Sequence, residues 1–207
     1  MRDETPGARD GRLERGRLTR VKIADAVLSL LDEGESHLPA DKVAERAGVS
    51  RRLVFHHFDD MPQLVDAAVT QRLGQLSDQM KPLPHTGPRE KRITALVEQR
   101  ARILEWLTPA RLAVMRIDPP SERIEEATRA ILDLARLNLA KAFALELDTV
   151  TEPRRAQLID AMHTATTWGA WYHWRMMGMD AAEARTAMES ILRILLETTD
   201  ANASGRQ

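Results

Sequence analysis

The sequence predicts an all-α protein: a small N-terminal helix-turn-helix unit of three helices, followed by a larger helical bundle. Three observations carry this. Apolar residues recur at spacings of three and four almost everywhere after Val21, as on a helix with one buried face. No stretch shows sustained alternation of β-branched residues, and one tyrosine and three phenylalanines leave little to stock a sheet. Prolines and glycines divide the chain into segments of helical length.

Taken in order, residues 1–16 read as a flexible basic arm. From Arg9 to Lys22 six basic residues (Arg9, Arg12, Arg15, Arg17, Arg20, Lys22) stand against only Asp10 and Glu14. Helix 1 is expected after Thr19, a good N-cap, through Val21, Ala24, Val27, Leu28 and Leu31 to a stop near Gly34. A short helix follows Pro39 and ends before Gly48. Ser50 caps another, and a fourth begins at Asp60 and runs to about Met80, with Gln63 at capping-box spacing. Residues 81–88, with three prolines and a glycine, form a linker. Helices are then expected at about 89–107, 109–116, 121–147, 153–178 and 180–199, with residues 201–207 a frayed polar tail. This gives a smaller unit at 17–63 and a larger body at 64–200, in which residues 64–80 fasten the two together.

Composition removes several functional classes. The 207 residues are 43 % hydrophobic and 29 % charged, with a formal net charge of −1, so a real core is available and no global charge bias exists. Cysteine is absent, which excludes disulfides, thiolate chemistry and cysteine-containing zinc sites. The opening residues hold no apolar stretch of signal-peptide type, and no run approaches the roughly 20 apolar residues of a membrane span. A cytoplasmic protein without membrane contact is the expectation. Gly-rich phosphate loops, HExxH and GxSxG are all missing, and Asp, Glu and His occur without catalytic pairing. Neither an enzyme nor a cofactor is expected.

The informative segment is DKVAERAGVSRRLVFHHF, residues 41–58. Ala44 lies one turn before Gly48, and Val43, Ala47 and Val49 are apolar, a spacing that suits two short helices crossing at a tight turn. Ser50 caps the second helix, whose first turn exposes Arg51 and Arg52 while Val54 and Phe58 point inward at i and i+4. A major groove is read by such a helix, entered N-terminus first. Arginine offers two parallel donors to guanine and a charge to phosphate. The alternative reading is an ordinary helical hairpin with a solvated Arg-Arg pair.

Residues 17–69 resemble the DNA-binding domain of the TetR family in order, spacing and key residue types. Ser50, the run Phe55-His56-His57-Phe58 and the capping Asp60 match the end of that family's motif. The resemblance implies double-stranded operator DNA as partner, with Arg51, Arg52, Leu53, Phe55, His56, Lys42 and Arg20 at the DNA face. Three departures weaken customary phosphate contacts: Pro39 in place of a threonine, Phe55 in place of a tyrosine, and Met61 in place of a lysine. The basic arm from Arg12 to Arg20 is expected to replace them, in an adjacent minor groove. His56 and His57, with Asp59 and Asp60 nearby, do not read as a metal site, because adjacent helical residues diverge by about 100°.

The resemblance also implies a C-terminal body that dimerises through its last two helices and binds an unidentified small molecule. The terminal helix is apolar on more than one side. Trp168, Trp171, Tyr172, Met188, Ile191, Leu192 and Leu195 are the expected dimer surface, with Gly169 allowing close approach. Trp106, Met115, Asn138, Phe143, Met162 and His163 are the pocket candidates, and Arg102, Arg111 and Arg116 leave an acidic ligand open. The function implied is a homodimeric, ligand-responsive transcription regulator, in the usual case a repressor, on a palindromic operator. A helical adaptor with a vestigial helix-turn-helix is the alternative. Deleting residues 1–16 should lower DNA affinity and flatten its salt dependence; unchanged binding in a filter assay would remove any role for the arm.

Overall fold

The computed structural model describes residues 6–116 and 120–204, with side chains from 11 to 199 other than those of Arg12, Ser77 and residues 117–119. All regular structure among them is helical. The order is α1 (Pro6–Asp32), α2 (Ala40–Ala47), α3 (Arg51–His57), α4 (Met61–Gly74), α5 (Leu76–Gln79), α6 (Arg89–Val114), α7 (Glu122–Ala142), α8 (Ala144–Leu147), α9 (Arg154–Ala165), α10 (Trp168–Met176) and α11 (Ala181–Ser204). Among the described residues no helix is long and apolar enough to cross a membrane.

Several boundaries differ from expectation; the helix expected from Asp60 to about Met80, for one, breaks at Gln75 between α4 and α5. First, α1 begins at Pro6, so the arm expected at 1–16 is helical over its described part. Thr19 is no cap; its hydroxyl donates to the Arg15 carbonyl one turn back, 2.9 Å away, and Glu14 pairs with Arg17 at 2.7 Å. Second, Pro109 stands inside α6, where its missing N–H removes one rung without ending the helix. Third, the expected 121–147 helix breaks at Phe143. Fourth, the expected 153–178 helix breaks at Thr166 and Thr167. Their hydroxyls donate to the carbonyls of His163 and Thr164 at 2.9 and 2.8 Å, competing with the helical ladder. At the other end α11 extends to Ser204, into the expected tail.

The chain forms two compact units, Met1–Gln75 with Pro109–Glu125, and Leu76–Thr108 with Glu126–Gln207. The expected division at residue 63 therefore shifts. Helix α4 lies wholly within the first unit, and α6 and α7 supply residues to both. The first core gathers Ile23, Val27, Leu30, Val43, Val54 and Phe58, all at most 1 % exposed. Burying side chains of this size is worth about 1.5–3 kcal/mol each before entropy is charged against them. The second core gathers Leu96, Leu139, Phe143, Met162, Trp171 and Leu192.

A buried ion pair organises one end of the second unit. Arg92 donates through Nη1 to Glu146 Oε2 at 2.8 Å and to the Ala142 carbonyl at 2.7 Å, and through Nε to the Gly87 carbonyl at 3.2 Å. Its Nη2 reaches Glu146 Oε1, and Arg89 approaches the same oxygen at 3.3 Å. One guanidinium thus ties the linker, the end of α7 and α8 together. Burial alone would raise the Glu146 pKa; the hydrogen bonds and charge of Arg92, helped by Arg89, overcome this and hold it below the usual value. Glu146→Ala should cost about 3–5 kcal/mol, because it leaves Arg92 buried and uncompensated. All four tryptophans (106, 168, 171 and 174) lie in the second unit, so urea unfolding followed by tryptophan fluorescence reports it directly. A loss under about 1 kcal/mol, the size of an exposed pair, would contradict the structural role given to the pair.

Candidate nucleic-acid interface

The α2–α3 element is built from the residues the sequence singles out. Helix α2 buries Ala40, Val43, Ala44 and Ala47 and ends at Gly48, whose φ of 60° lies in the left-handed region. Its N–H donates to the Glu45 carbonyl at 3.0 Å, and that of Val49 to the Ala44 carbonyl at 2.9 Å, closing the turn. A Cβ at position 48 would meet nothing nearer than the Lys22 Nζ at 3.6 Å. Glycine is therefore required there by the backbone angle and not by crowding. Ser50 then caps α3, its Oγ accepting from the Leu53 N–H at 3.1 Å.

Helix α3 keeps one face in and one face out. Val54 and Phe58, at the helix and its C-cap, are 1 % exposed. Arg51, Arg52, Phe55 and His56 are exposed, Phe55 to 41 %, and Leu53 is half-buried. The Arg51 guanidinium lies 5.7 Å from the Phe55 ring centroid and 3.2 Å from Asp41, in a pair whose side chains are both more than 60 % exposed. Such a pair is worth little and yields readily to a phosphate or a base. The surface presented is a guanidinium pair, an aromatic edge and an imidazole at the start of a capped helix, the chemistry that reads guanine and phosphate in a major groove.

Two of the expected DNA-facing residues already have partners within the first unit. Lys42 Nζ is bound to Glu35. Arg20 holds α3 in place: its Nη1 donates to the His57 carbonyl at the helix end, and its guanidinium lies 4.2 Å over the Phe58 ring. A cation at a helix C-terminus also meets the negative end of the helix dipole. In the sequence Arg20 shows only as one more basic residue of the arm, since the contact spans 37 positions. Of that arm, Arg15 is exposed, Arg17 is paired with Glu14, and Arg9 and Arg12 lie outside the described side chains.

At the next helix Asp60 accepts from the Gln63 N–H at 2.7 Å, as its spacing predicts. Gln63 answers the Asp59 N–H, at 3.0 Å, in place of that of Asp60. His56 and His57 meet edge to face at 5.3 Å.

Several residues expected at the dimer surface are buried inside one chain. Trp171, Met188 and Leu192 are 0 % exposed. Trp171 Nε1 donates to Glu105 at 2.8 Å, and Met188 and Leu192 belong to the second core with Ala184 and Leu196 at a spacing of four. Helical periodicity marks α11 as apolar on more than one side without saying which side its own unit covers. Tyr172, Ile191 and Leu195 remain half-buried, Ile194 is 62 % exposed, and Met176 at the end of α10 and Met177 at its C-cap are 67 % and 70 % exposed. Trp168 is half-buried, stacked on Tyr172 at 4.7 Å and bonded to Thr108 at 3.0 Å.

The pocket candidates scatter. Phe143 and Met162 are core residues at 0 % exposure, Trp106 and His163 are half-buried, and Met115 falls in the first unit at 65 % exposure. Asn138 lines an open cavity of about 630 Å³ in the second unit, with Lys81, Leu83, His85, Leu134 and Lys141.

Comparison with known proteins agrees with this geometry. Residues 24–68 match the model of the bacterial regulatory proteins of the tetR family. The HTH-type transcriptional regulator BetI of Rhizobium meliloti (strain 1021) is 29 % identical over 120 residues, 56 % of this chain. The match spans 59 % of that relative's length. The crystal structure of a tetR-family transcriptional regulator from Streptomyces coelicolor superposes with a TM-score of 0.65 over 89 % of this chain and 83 % of its own, at 22 % identity, which is a likeness of fold.

His57 is expected to make the stability of the first unit depend on pH. Burial, then the neighbouring His56 and Arg20, lower its pKa below 6.5. As pH falls through 6.5 the unfolded chain takes up its proton first. Stability should therefore drop between 6.5 and the lower folded value, and no further on this account below it. His57→Gln is expected to flatten that part of the melting-temperature profile measured by circular dichroism. A variant profile as steep as the wild type's would show that His57 is not the group responsible.

Proposed function

We propose that this chain, a member of the TetR family by its N-terminal domain, is a transcription regulator that binds a palindromic operator as a homodimer and answers to a small molecule held by its second unit. The observation that carries the reading is α3. It is a seven-residue capped helix that buries Val54, with Phe58 buried at its C-cap, while Arg51, Arg52, Phe55 and His56 face outward. A helical adaptor has no use for that surface. Direct contacts fall to Arg51 and Arg52 at base edges or phosphate, with Phe55 and His56 beside them. Arg20 acts by fixing the helix, and Lys42 contributes once it leaves Glu35.

Dimerisation is supported by the apolar side chains that α10, its C-cap and α11 leave uncovered. Tyr172, Ile191, Ile194 and Leu195, with Met176 and Met177, form the apolar surface for a second copy. A dimer presents two recognition helices to half-sites about 34 Å apart. The effector then acts by its different affinity for two arrangements of the dimer. We assign the coupling to α6 and α7, which contribute to both units, in place of α4. Repression is the usual sense of such a switch, and the cytoplasm is where operator DNA is met.

The test is footprinting of the purified protein on its own promoter region, with Arg51→Ala/Arg52→Ala alongside. A symmetric footprint that weakens at least tenfold in the double variant is expected, since each good bidentate contact is worth about 1–3 kcal/mol. Equal protection by both proteins would leave the helix-turn-helix without a reading role. Ile194→Asp should shift the protein toward monomer in sedimentation and weaken the footprint; a variant that stays dimeric would place the interface elsewhere.

A further inference from the structure

Arg100 lies in the middle of α6, and its residue is only 4 % exposed. Its Nη2 donates to the Ala135 carbonyl of α7 at 3.0 Å, and its buried Nε has no acceptor. Among the described residues no carboxylate pairs with it. Arg92, the other deeply buried arginine of this unit, is answered by both oxygens of Glu146. A guanidinium taken out of water without a counter-charge is unfavourable. The cost is visible in the Arg100 pKa, which burial pushes down to about 10.

His163 on α9, a half-buried residue, also holds an unanswered atom. Its buried Nδ1 has no partner. Burial and then the charge of Arg100 hold its pKa below 6.5, so the ring is neutral near pH 7. Arg136 acts in the same direction and Asp160 and Asp133 oppose it, but Asp160 is already paired with Arg136 at 2.8 Å near the surface. What remains in the interior is one positive charge and one free imidazole nitrogen. Leu96, Val97 and Leu104 lie about one turn to either side of Arg100, and Ile159 and Met162 adjoin His163; all are buried and apolar.

We propose that Arg100, with His163 beside it, anchors the carboxylate of an amphipathic monoanion whose apolar part lies among the side chains of α6, α7 and α9. The inference deepens the effector reading and rests on it, by naming the chemical class of the effector. One guanidinium and one neutral imidazole balance a single negative charge. The carboxylate supplies the acceptors that Nε lacks, and His163 donates through Nδ1 in the tautomer or the protonated form that the anion favours. A neutral or cationic ligand would leave the guanidinium uncompensated.

The experiment titrates the full-length protein with decanoate and with decanamide, its uncharged counterpart, following tryptophan fluorescence. Decanoate is expected to bind at least tenfold more tightly than decanamide. Arg100→Met should abolish that preference, and Arg100→Lys should retain part of it. If Arg100→Met does not fold, as judged by circular dichroism, His163→Leu carries the comparison and should weaken decanoate binding. Equal binding of the two probes, equal binding of decanoate by wild type and variant, or no binding of decanoate overturns the proposal. Operator footprinting on the same preparations separates the two levels. An intact footprint without anion preference overturns this inference alone, whereas no footprint overturns the reading beneath it.

Discussion

What α3 can offer to a nucleic acid depends on two side chains that it hides. Val54 and Phe58 are one turn apart on the inner face, and their burial sets which residues of a seven-residue helix point outward. A helix this short has no stability of its own, since the first turn of any helix costs more than it returns. Its ends are held separately: Ser50 supplies the missing acceptor at the start, and Arg20 meets the last carbonyl while lying over Phe58. Gly48 turns the chain into it at a backbone angle that other residues adopt only with strain. Packing, two caps and one glycine thus decide the orientation of Arg51 and Arg52, which themselves contribute almost nothing to folding.

The second unit shows a different use of charge. Arg92 and Glu146 form a buried pair with nearly every donor answered, and such a pair orders the linker and the break between α7 and α8. Arg100 is buried to a similar degree with only a carbonyl for company. A core that satisfies one guanidinium so fully and leaves the next unanswered is consistent with two roles, one in folding and one in binding. The same contrast separates the half-exposed Arg136–Asp160 pair, which costs little to form and contributes little, from the interior groups beside it.

The helix-turn-helix was legible in the sequence because its determinants are local. Ala44, Gly48, Ser50, Val54 and Phe58 act within a few residues of each other, and each has a stated chemical task. The all-helical class was legible for the same reason. The boundaries that moved depended on weaker local signals: Thr19 was equally good as a cap and as a hydroxyl bonded back into the helix, and Pro109 removed one hydrogen bond without ending α6. The division of α11 between covered and uncovered faces was legible only in part. Periodicity identified α11 as apolar on several sides, yet only tertiary packing shows that Met188 and Leu192 serve their own core and Ile194 does not. The polar interior was not legible at all, because Arg92, Arg100 and Glu146 look like ordinary surface charges until residues more than 30 positions away close over them.

The central claim is that two copies of α3 read DNA together. Selection of bound duplexes from a random-sequence library by the full-length protein tests it most directly. The account predicts enrichment of an inverted repeat whose half-site centres lie about 10 base pairs, or a multiple of that, apart. Enrichment of no motif, or of a lone half-site without a symmetric mate, would contradict it.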